Sequence, residues 1–365
     1  MIDMAGTGGI GTRTDQLSRP YEEDWYTSMN PKMIRPRHPD GLDLVNPRGE
    51  PRGFVDPKNL GGQPVLEDLW VMQGSLCDLR CKHCYTASSP SNNRLEQIAF
   101  AELAPHLEDA GRFGVQKIYF TGGEVFVNEN VLRGRAERND QFLESLALAL
   151  EIAPVEVLTN GRLYIRNHFA VLRRLRERHG GRLTLRITLE SPDEQYHDAI
   201  RGRGTFAQTA ETIRLLAEMG FPLVIAAERS LLDGRTDVQI RESYRSLFPG
   251  AAVEISLIEN MLEMGHHLTT LARRGESAHA EVFVTTNCFA ALSKPPEQLM
   301  CHFSRSIQKI DGELRYYPCP VICDDPRFEM GATLAESIRR VYTAHKNCYD
   351  YCMKGRGATC RTQAM

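Results

Sequence analysis

The sequence predicts an α/β fold in which short strands and longer helices alternate along most of the chain. From residue 65 onward, short apolar stretches typical of buried strands recur between longer stretches with helical periodicity. Several helical stretches end at a glycine, as at Gly114, Gly180 and Gly220, where a left-handed C-terminal residue is expected. Six such repeats predict a parallel sheet with helices packed outside it.

The individual elements follow in order along the chain. Strands are predicted at 65–72, 115–120, 155–158, 183–189, 223–227 and 253–257, and helices at 95–112, 141–151, 168–178, 206–219 and 238–248. Residues 1–64 are rich in Pro, Gly, Arg and Asp without a sustained apolar period, which predicts an irregular leader, either a cap on the main domain or a cover over its mouth. Further on, 304–310 and 313–317 predict a hairpin around Asp311-Gly312, and 333–345 predicts a helix.

Length and charge restrict the class of protein. A chain of 365 residues can form one large domain and a smaller one. Its 44 basic and 47 acidic residues give a net charge of −3, without the polybasic field that would favour nucleic acid as a partner. There is no apolar run of about 18 residues and no signal-like N-terminus, which argues against a membrane span and against export. The expected location is the cytoplasm.

The ten cysteines fall into two groups. A long chain without an export signal favours metal binding over a disulfide scaffold. Three cysteines lie within residues 77–84, and seven follow after residue 287, at Cys288, Cys301, Cys319, Cys323, Cys348, Cys352 and Cys360. The distribution predicts two metal-bearing regions.

The first group consists of Cys77, Cys81 and Cys84, separated by four and three residues. A structural zinc site takes four protein ligands, and no fourth is available nearby. A 4Fe-4S cluster held by these three thiols would leave its fourth iron open to a small chelating molecule. The remaining alternative is three unrelated thiols in a loop, which the tight spacing disfavours.

Polar and glycine-rich motifs end the following predicted strands. The second strand ends in Thr121-Gly122-Gly123-Glu124, where paired glycines let the backbone approach a ligand and Glu124 can accept from an ammonium group. The third ends in Thr159-Asn160-Gly161, which is also a common turn sequence. The fourth ends in Thr188-Leu189-Glu190-Ser191, followed by His197-Asp198 and Arg201-Gly202. Arg201 could instead hold Glu190 or Asp198 in a structural ion pair.

Together these motifs resemble the radical SAM superfamily, whose CxxxCxxC signature is matched at Cys77, Cys81 and Cys84, with the aromatic Tyr85 next. The resemblance implies a partial (β/α)6 TIM-like barrel and a 4Fe-4S core cluster whose open iron binds S-adenosyl-L-methionine. Reductive cleavage of that molecule would give a 5′-deoxyadenosyl radical, with flavodoxin or ferredoxin as the expected electron donor. The implied contacts to S-adenosylmethionine are Tyr85, Gly122, Gly123, Glu124, Thr188 and Glu190. Glu190 departs from the family's usual Asp, and Thr188 from its usual Ser.

The C-terminal cysteines resemble the SPASM/twitch subgroup, in which a hairpin and later residues hold an auxiliary cluster. The implied organisation is a leader at 1–64, a radical SAM core at 65–285 and a small cysteine-rich hairpin and helix domain at 286–365. The resemblance implies at least one auxiliary 4Fe-4S cluster, on Cys301, Cys319, Cys348 and either Cys352 or Cys360. The full seven-cysteine SPASM spacing is absent, so one cluster is preferred over two. Cys288 could be a buried thiol, and Cys323 is left unassigned.

The expected function is hydrogen abstraction from a small molecule such as a sugar, an aminocyclitol or a cofactor precursor. The leader does not resemble a peptide-recognition module, which favours this substrate class over the alternative, a ribosomal peptide or protein. A different class is a non-catalytic iron-sulfur or zinc protein. The Gly-Gly-Glu loop and the Thr188 run argue against it, because an electron carrier needs no nucleotide site.

Overall fold

The computed structural model describes residues 42–229, 234–258 and 283–354. The strands in that part of the chain are β1 (Phe54–Val55), β2 (Asn59–Leu60), β3 (Gln63–Pro64), β4 (Asp68–Met72), β5 (Lys117–Thr121), β6 (Val155–Thr159), β7 (Leu183–Thr188), β8 (Leu223–Glu228), β9 (Val253–Ile258), β10 (Ser304–Ile310), β11 (Glu313–Tyr317) and β12 (Val341–Tyr342). The α-helices are α1 (Phe100–Arg112), α2 (Glu129–Leu132), α3 (Asp140–Ile152), α4 (Leu163–Arg166), α5 (Phe169–His179), α6 (Glu194–Arg201), α7 (Thr205–Glu218), α8 (Asp237–Leu247), α9 (Thr286–Ala291) and α10 (Met300–Phe303). A π-helix spans Cys348–Met353.

The main sheet has eight strands in the order β11-β10-β4-β5-β6-β7-β8-β9. Strands β4 to β9 are all parallel and follow one another in chain order. Their C-terminal ends therefore meet at one edge, which is where parallel α/β sheets and barrels carry their sites. The prediction of an α/β fold with a largely parallel sheet is confirmed, and the arrangement is consistent with a partial TIM-like barrel.

The strands are rich in apolar residues and are buried on both faces. All five residues of β4 and all six of β8 are buried, as expected for parallel strands that are covered on both sides. Trp70 and Tyr119 stack on neighbouring strands with their ring centroids 4.0 Å apart. Outside the sheet, α1 buries Leu103, Leu107 and Ala110 at helical spacing. The core therefore lies between the sheet and its helices.

The predicted hairpin is present, with strands at the predicted residues, and it extends the main sheet. β10 pairs in parallel with β4 from Ser304 opposite Asp68 to Ile307 opposite Val71, and β11 pairs antiparallel with β10. The cysteine-rich segment thus shares a sheet with the barrel strands. The domain boundary between residues 285 and 286 stays a prediction.

Two short strands near the ends of the described chain pair with each other. β1 and β12 are antiparallel, with Phe54 opposite Tyr342 and Val55 opposite Val341. The predicted helix over 333–345 is wrong, because this segment forms turns and then β12. Residues 42–64 contain only two-residue strands, and residues 1–41 lie outside the described part. No described helix combines the length and the apolar character that a membrane crossing requires.

Candidate functional site

The cluster loop, residues 73–89, follows β4 at the C-terminal edge of the sheet and carries the three predicted thiols. Cys77 and Cys81 are buried and Cys84 is half-buried. All three border one cavity that contains about 1070 Å³ of empty space, including the solvent at its mouth. The other predicted site residues that border this cavity are Tyr85, Gly122, Gly123, Thr188 and Glu190. The structure therefore brings together residues from the loops after β4, β5 and β7.

The surroundings of these thiols fit an iron-sulfur cluster. The backbone N–H groups of Leu79 and Ser88 donate to the Sγ atoms of Cys77 and Cys84, each at 3.3 Å, and such hydrogen bonds tune cluster sulfurs. Burial raises the pKa of the Cys77 thiol, and raises that of Cys81 to about 12. A bound metal centre would be needed to deprotonate them. Among the described residues, no three His, Cys, Asp or Glu side chains converge as the ligands of a single ion, whereas a cubane binds its thiolates on separate irons.

The paired glycines hold the cluster loop against the loop after β5. A Cβ atom at Gly122, where φ is +125°, would lie 2.4 Å from the Gly74 carbonyl oxygen, and one at Gly123 would lie 2.0 Å from that of Leu76. The backbone N–H groups of Gly123 and Glu124 donate to these same carbonyls at 2.8 and 2.9 Å. The two loops are thus joined backbone to backbone, and no side chain fits between them.

The Glu124 side chain is hydrogen-bonded to other residues of the protein, and Glu124 does not border the cavity. Its carboxylate accepts from the Thr159 hydroxyl and from the Asn160 backbone N–H, both at 2.7 Å, and burial raises its pKa to about 7. Asn160 Nδ2 and Arg162 Nη1 donate to the two carboxylate oxygens of Asp78 at 2.7 and 2.8 Å. Sequence reasoning missed Asp78 and Arg162, because an ion pair across 84 residues leaves no local pattern.

A buried charged group lies beside the cluster loop. The Glu190 carboxylate pairs with His83 Nε2 at 3.0 Å and with Arg201 Nη1 at 2.9 Å, and the Glu190 backbone N–H donates to His197 Nδ1 at 3.1 Å. Burial alone would raise the pKa of Glu190, but His83 and Arg201 lower it to about 2. Burial would lower the pKa of His83, yet the same carboxylate raises it. The alternative that Arg201 holds Glu190 in an ion pair is confirmed.

The C-terminal thiols are buried as well. Cys301 lies in α10, Cys319 follows β11, and Cys348 and Cys352 lie on the π-helix. Burial raises the pKa of Cys301 to about 11 and that of Cys348 to about 12, where Cys301 adds to the effect. The chain beside these thiols borders the cavity through Pro320, Val321 and Tyr351.

The remaining cysteines are placed differently. The Cys323 thiol donates to the Pro320 carbonyl at 3.2 Å and packs with Met72 and Leu95. Cys288 is half-buried in α9. The predicted ligand Cys360 lies outside the described residues.

Comparison with known proteins identifies related sequences. Residues 73–247 match the Radical SAM superfamily. The bacteriocin subtilosin biosynthesis protein AlbA of Bacillus subtilis is 34% identical over 152 residues, which cover 41% of this chain and 30% of AlbA. The sporulation killing factor maturation protein SkfB of the same organism is 29% identical over 157 residues, 41% of this chain and 32% of SkfB. GTP 3′,8-cyclase of Petrotoga mobilis is 26% identical over 145 residues, 40% of this chain and 41% of the cyclase. The chain thus spans between 30% and 41% of these relatives.

Solved structures with a similar arrangement include Streptococcus suis SuiB bound to its precursor peptide SuiA, with a TM-score of 0.49, 13% identity, and 70% of this chain and 60% of SuiB covered. The superfamily match runs from the cluster loop through the glycine pair and the Glu190 run to α8. The chain is similar to AlbA and SkfB, and its residues 73–247 form a domain of the radical SAM superfamily.

Proposed function

We propose that this radical SAM enzyme abstracts a hydrogen atom from a peptide substrate, with its core 4Fe-4S cluster on Cys77, Cys81 and Cys84. The observation that carries the proposal is that these thiols border the same cavity as Gly122 and Gly123. When bound, the cluster and S-adenosylmethionine supply a 5′-deoxyadenosyl radical, which is the chemistry of the superfamily.

The residues of this chain would hold and orient the reacting molecules. The three thiols would hold the cluster and would leave one of its irons for S-adenosylmethionine. The backbone at Gly122 and Gly123, the Thr188 hydroxyl and Tyr85 border the space beside them. A substrate bound in this partly enclosed cavity would displace water, which would protect a reactive species from side reactions. An electron donor such as flavodoxin or ferredoxin stays a prediction.

The peptide substrate is supported by the names of two relatives. AlbA is a bacteriocin biosynthesis protein and SkfB a killing factor maturation protein. These names favour a peptide over the small molecule that the sequence alone predicts. The small molecule remains the second candidate, because GTP 3′,8-cyclase is also a relative.

The C-terminal thiols are proposed to hold one auxiliary 4Fe-4S cluster within a domain at 286–365. Its ligands would be Cys301, Cys319 and Cys348 with Cys352 or Cys360. Burial of the four described thiols supports this assignment. Changing Cys77, Cys81 and Cys84 to Ala should leave about four irons per chain, one cubane. A chain that retains no iron would contradict the assignment.

The core reaction is tested by anaerobic reconstitution with iron and sulfide. With dithionite and S-adenosylmethionine, the protein should form 5′-deoxyadenosine, measured by mass spectrometry. Cys81→Ala should abolish this product, whereas the matched control Cys288→Ala, at a thiol outside the proposed ligand sets, should retain it. Zinc binding without iron and without cleavage would contradict the proposal and favour a non-catalytic metal protein.

The substrate is tested by searching the neighbourhood of the gene for a short reading frame and supplying the peptide that it encodes in synthetic form. The peptide should increase 5′-deoxyadenosine formation and should itself change in mass. GTP serves as the small-molecule comparison. Stimulation by GTP with no change in the peptide would reverse the choice of substrate class.

A further inference from the structure

Arg305, the second residue of β10, is a fully buried cation, with 0% of its surface exposed. Its Nη1 donates to the carbonyls of Cys301 and Ser304, both at 2.6 Å. Its Nε donates to the Ser337 carbonyl at 2.7 Å, and its Nη2 to the Arg339 carbonyl at 3.1 Å. These carbonyls satisfy hydrogen bonds but carry no net charge.

The environment of Arg305 differs from that of the buried arginines Arg186 and Arg201. Arg186 pairs with Glu156 at 2.5 Å, and Arg201 pairs with Glu190 at 2.9 Å. Within residues 42–229, 234–258 and 283–354, no carboxylate lies within ion-pair distance of Arg305. Because a buried charge is costly unless an opposite charge compensates it, this position calls for an anion.

Two of the C-terminal cysteines, Cys301 and Cys319, are bound to β10 at or next to Arg305. The guanidinium is bound to the carbonyl of Cys301, one of the proposed ligands. The next residue, Ser306, pairs with Tyr317 in the hairpin, and its hydroxyl donates to the Cys319 carbonyl at 3.1 Å. The backbone of Cys319, another proposed ligand, is therefore held beside the strand that carries Arg305. A cubane with four thiolate ligands is an anion.

We propose that Arg305 is the buried counter-cation of the auxiliary cluster and raises its reduction potential. The inference rests on the proposed auxiliary cluster. Reduction adds one electron and makes the cluster more negative, and a fixed positive charge in a buried site stabilises that state more than the oxidised one. Arg305 would thereby favour electron acceptance by this cluster.

The test uses the full chain with Cys77, Cys81 and Cys84 changed to Ala, so that only the auxiliary cluster contributes a signal. Its midpoint potential is measured by redox titration followed by electron paramagnetic resonance. Arg305→Gln, which keeps N–H donors but removes the charge, should shift the potential to a more negative value at equal iron content. Arg305→Lys, which keeps the charge, should remain near the parent value. An unshifted potential in Arg305→Gln would overturn the inference.

Iron content separates the remaining outcomes. Loss of iron in Arg305→Gln with retention in Arg305→Lys would show that the charge is needed to hold the cluster, which supports the inference. Loss of iron in both variants would assign Arg305 to backbone support alone and overturn it. A parent chain without iron would refute the auxiliary cluster itself, whereas a parent with iron and an unshifted potential would remove only the role of Arg305.

Discussion

Gly123 has the least tolerance for substitution among the residues of the proposed site. A methyl group there would sit 2.0 Å from the Leu76 carbonyl oxygen, within the loop that carries Cys77. The neighbour is backbone, so it cannot move aside without separating the two loops. Both glycines therefore act on the thiols through the shape of the backbone, in addition to bordering the cavity.

Gly123→Ala should lower the iron content of the core cluster and the formation of 5′-deoxyadenosine together. The added methyl group would push the Cys77 loop away from its place. Gly181→Ala is the matched control, because a Cβ atom there meets nothing within 4 Å. Full iron and full activity in Gly123→Ala would contradict this account of the glycine pair.

Glu190→Gln should destabilise the protein by about 3 to 5 kcal/mol, the cost of leaving one partner of a buried ion pair without its opposite charge. Urea denaturation measures the effect. Glu211→Gln, in the pair between Arg166 and a largely exposed carboxylate, is the control and should cost less than about 1 kcal/mol. A similar loss of stability in Glu190→Gln and Glu211→Gln would contradict the larger contribution expected of the buried ion pair.

The stability that the buried Glu190 ion pair contributes has a defined pH dependence. The pKa of Glu190 is lowered from 4.5 to about 2, so its stabilisation is fully present above pH 4.5 and is lost as the pH falls toward 2. The difference in stability between wild type and Glu190→Gln should not decrease from pH 7 to 5, because Glu190 also favours the charged form of its partner His83 there, and it should shrink as the pH falls below 4.5. A difference that shrinks already near pH 6 would contradict the lowered pKa.

The site residues illustrate what a sequence can and cannot predict. The thiols were predictable because their ligand spacing is local. The partners of Glu124 were not, because Thr159 and Asn160 lie more than 30 residues away and only the folded loops bring them together. Asp198 stood in a family-like run, yet it accepts from the Phe206 N–H at 2.9 Å at the start of α7, a structural role that the run does not reveal.

At the level of elements, the hairpin is the connection between the two groups of thiols. β10 lies beside β4, whose end leads into the cluster loop, and the segment after β11 carries Cys319. Alternation and the Asp311-Gly312 turn predicted the hairpin itself, but a local pattern does not specify its pairing with β4. The helix predicted at 333–345 failed because Leu334, Ile338 and Val341 fit a helical period while Val341 pairs in a strand.

Ile307→Ala should cost about 2 to 5 kcal/mol, because Ile307 is fully buried opposite both Val71 and Tyr316. Since β10 belongs to the main sheet, urea denaturation should show one transition at lower urea concentration. Leu292→Ala, at a side chain that is 43% exposed, should change little. Two separate transitions in the Ile307 variant would instead indicate that the hairpin unfolds independently.

At the level of the whole molecule, residues 54–56, before the barrel strands, pair with residues 340–342, after them. β1 pairs with β12, the Arg340 guanidinium lies 3.8 Å from the centre of the Phe54 ring, and Arg340 pairs with Asp56 at 2.7 Å. The segment just before Cys348 thus pairs with residues 54–56. We expect the C-terminal thiols to depend on residues more than 280 positions earlier in the sequence.

Val55→Asp should detach β12 and lower the iron content from about eight to about four per chain, the loss of one cubane, while S-adenosylmethionine cleavage continues. The reason is that Val55 is fully buried against Val341 and an unpaired carboxylate cannot stay there. Leu60→Asp, at a side chain that is 61% exposed, is the control. An unchanged iron content in Val55→Asp would contradict the expected dependence of the C-terminal thiols on β1.

The two ladders of β10 also fix the width of the cavity. Pro320 and Val321 form one wall and the cluster loop another; the first wall follows β11 and the second follows β4, and β10 pairs with both strands. Neighbouring strands lie about 4.8 Å apart, and the walls cannot separate without breaking one of these ladders. Shortening the side chains at Val321 or Tyr351 would therefore widen the cavity while the sheet stays intact.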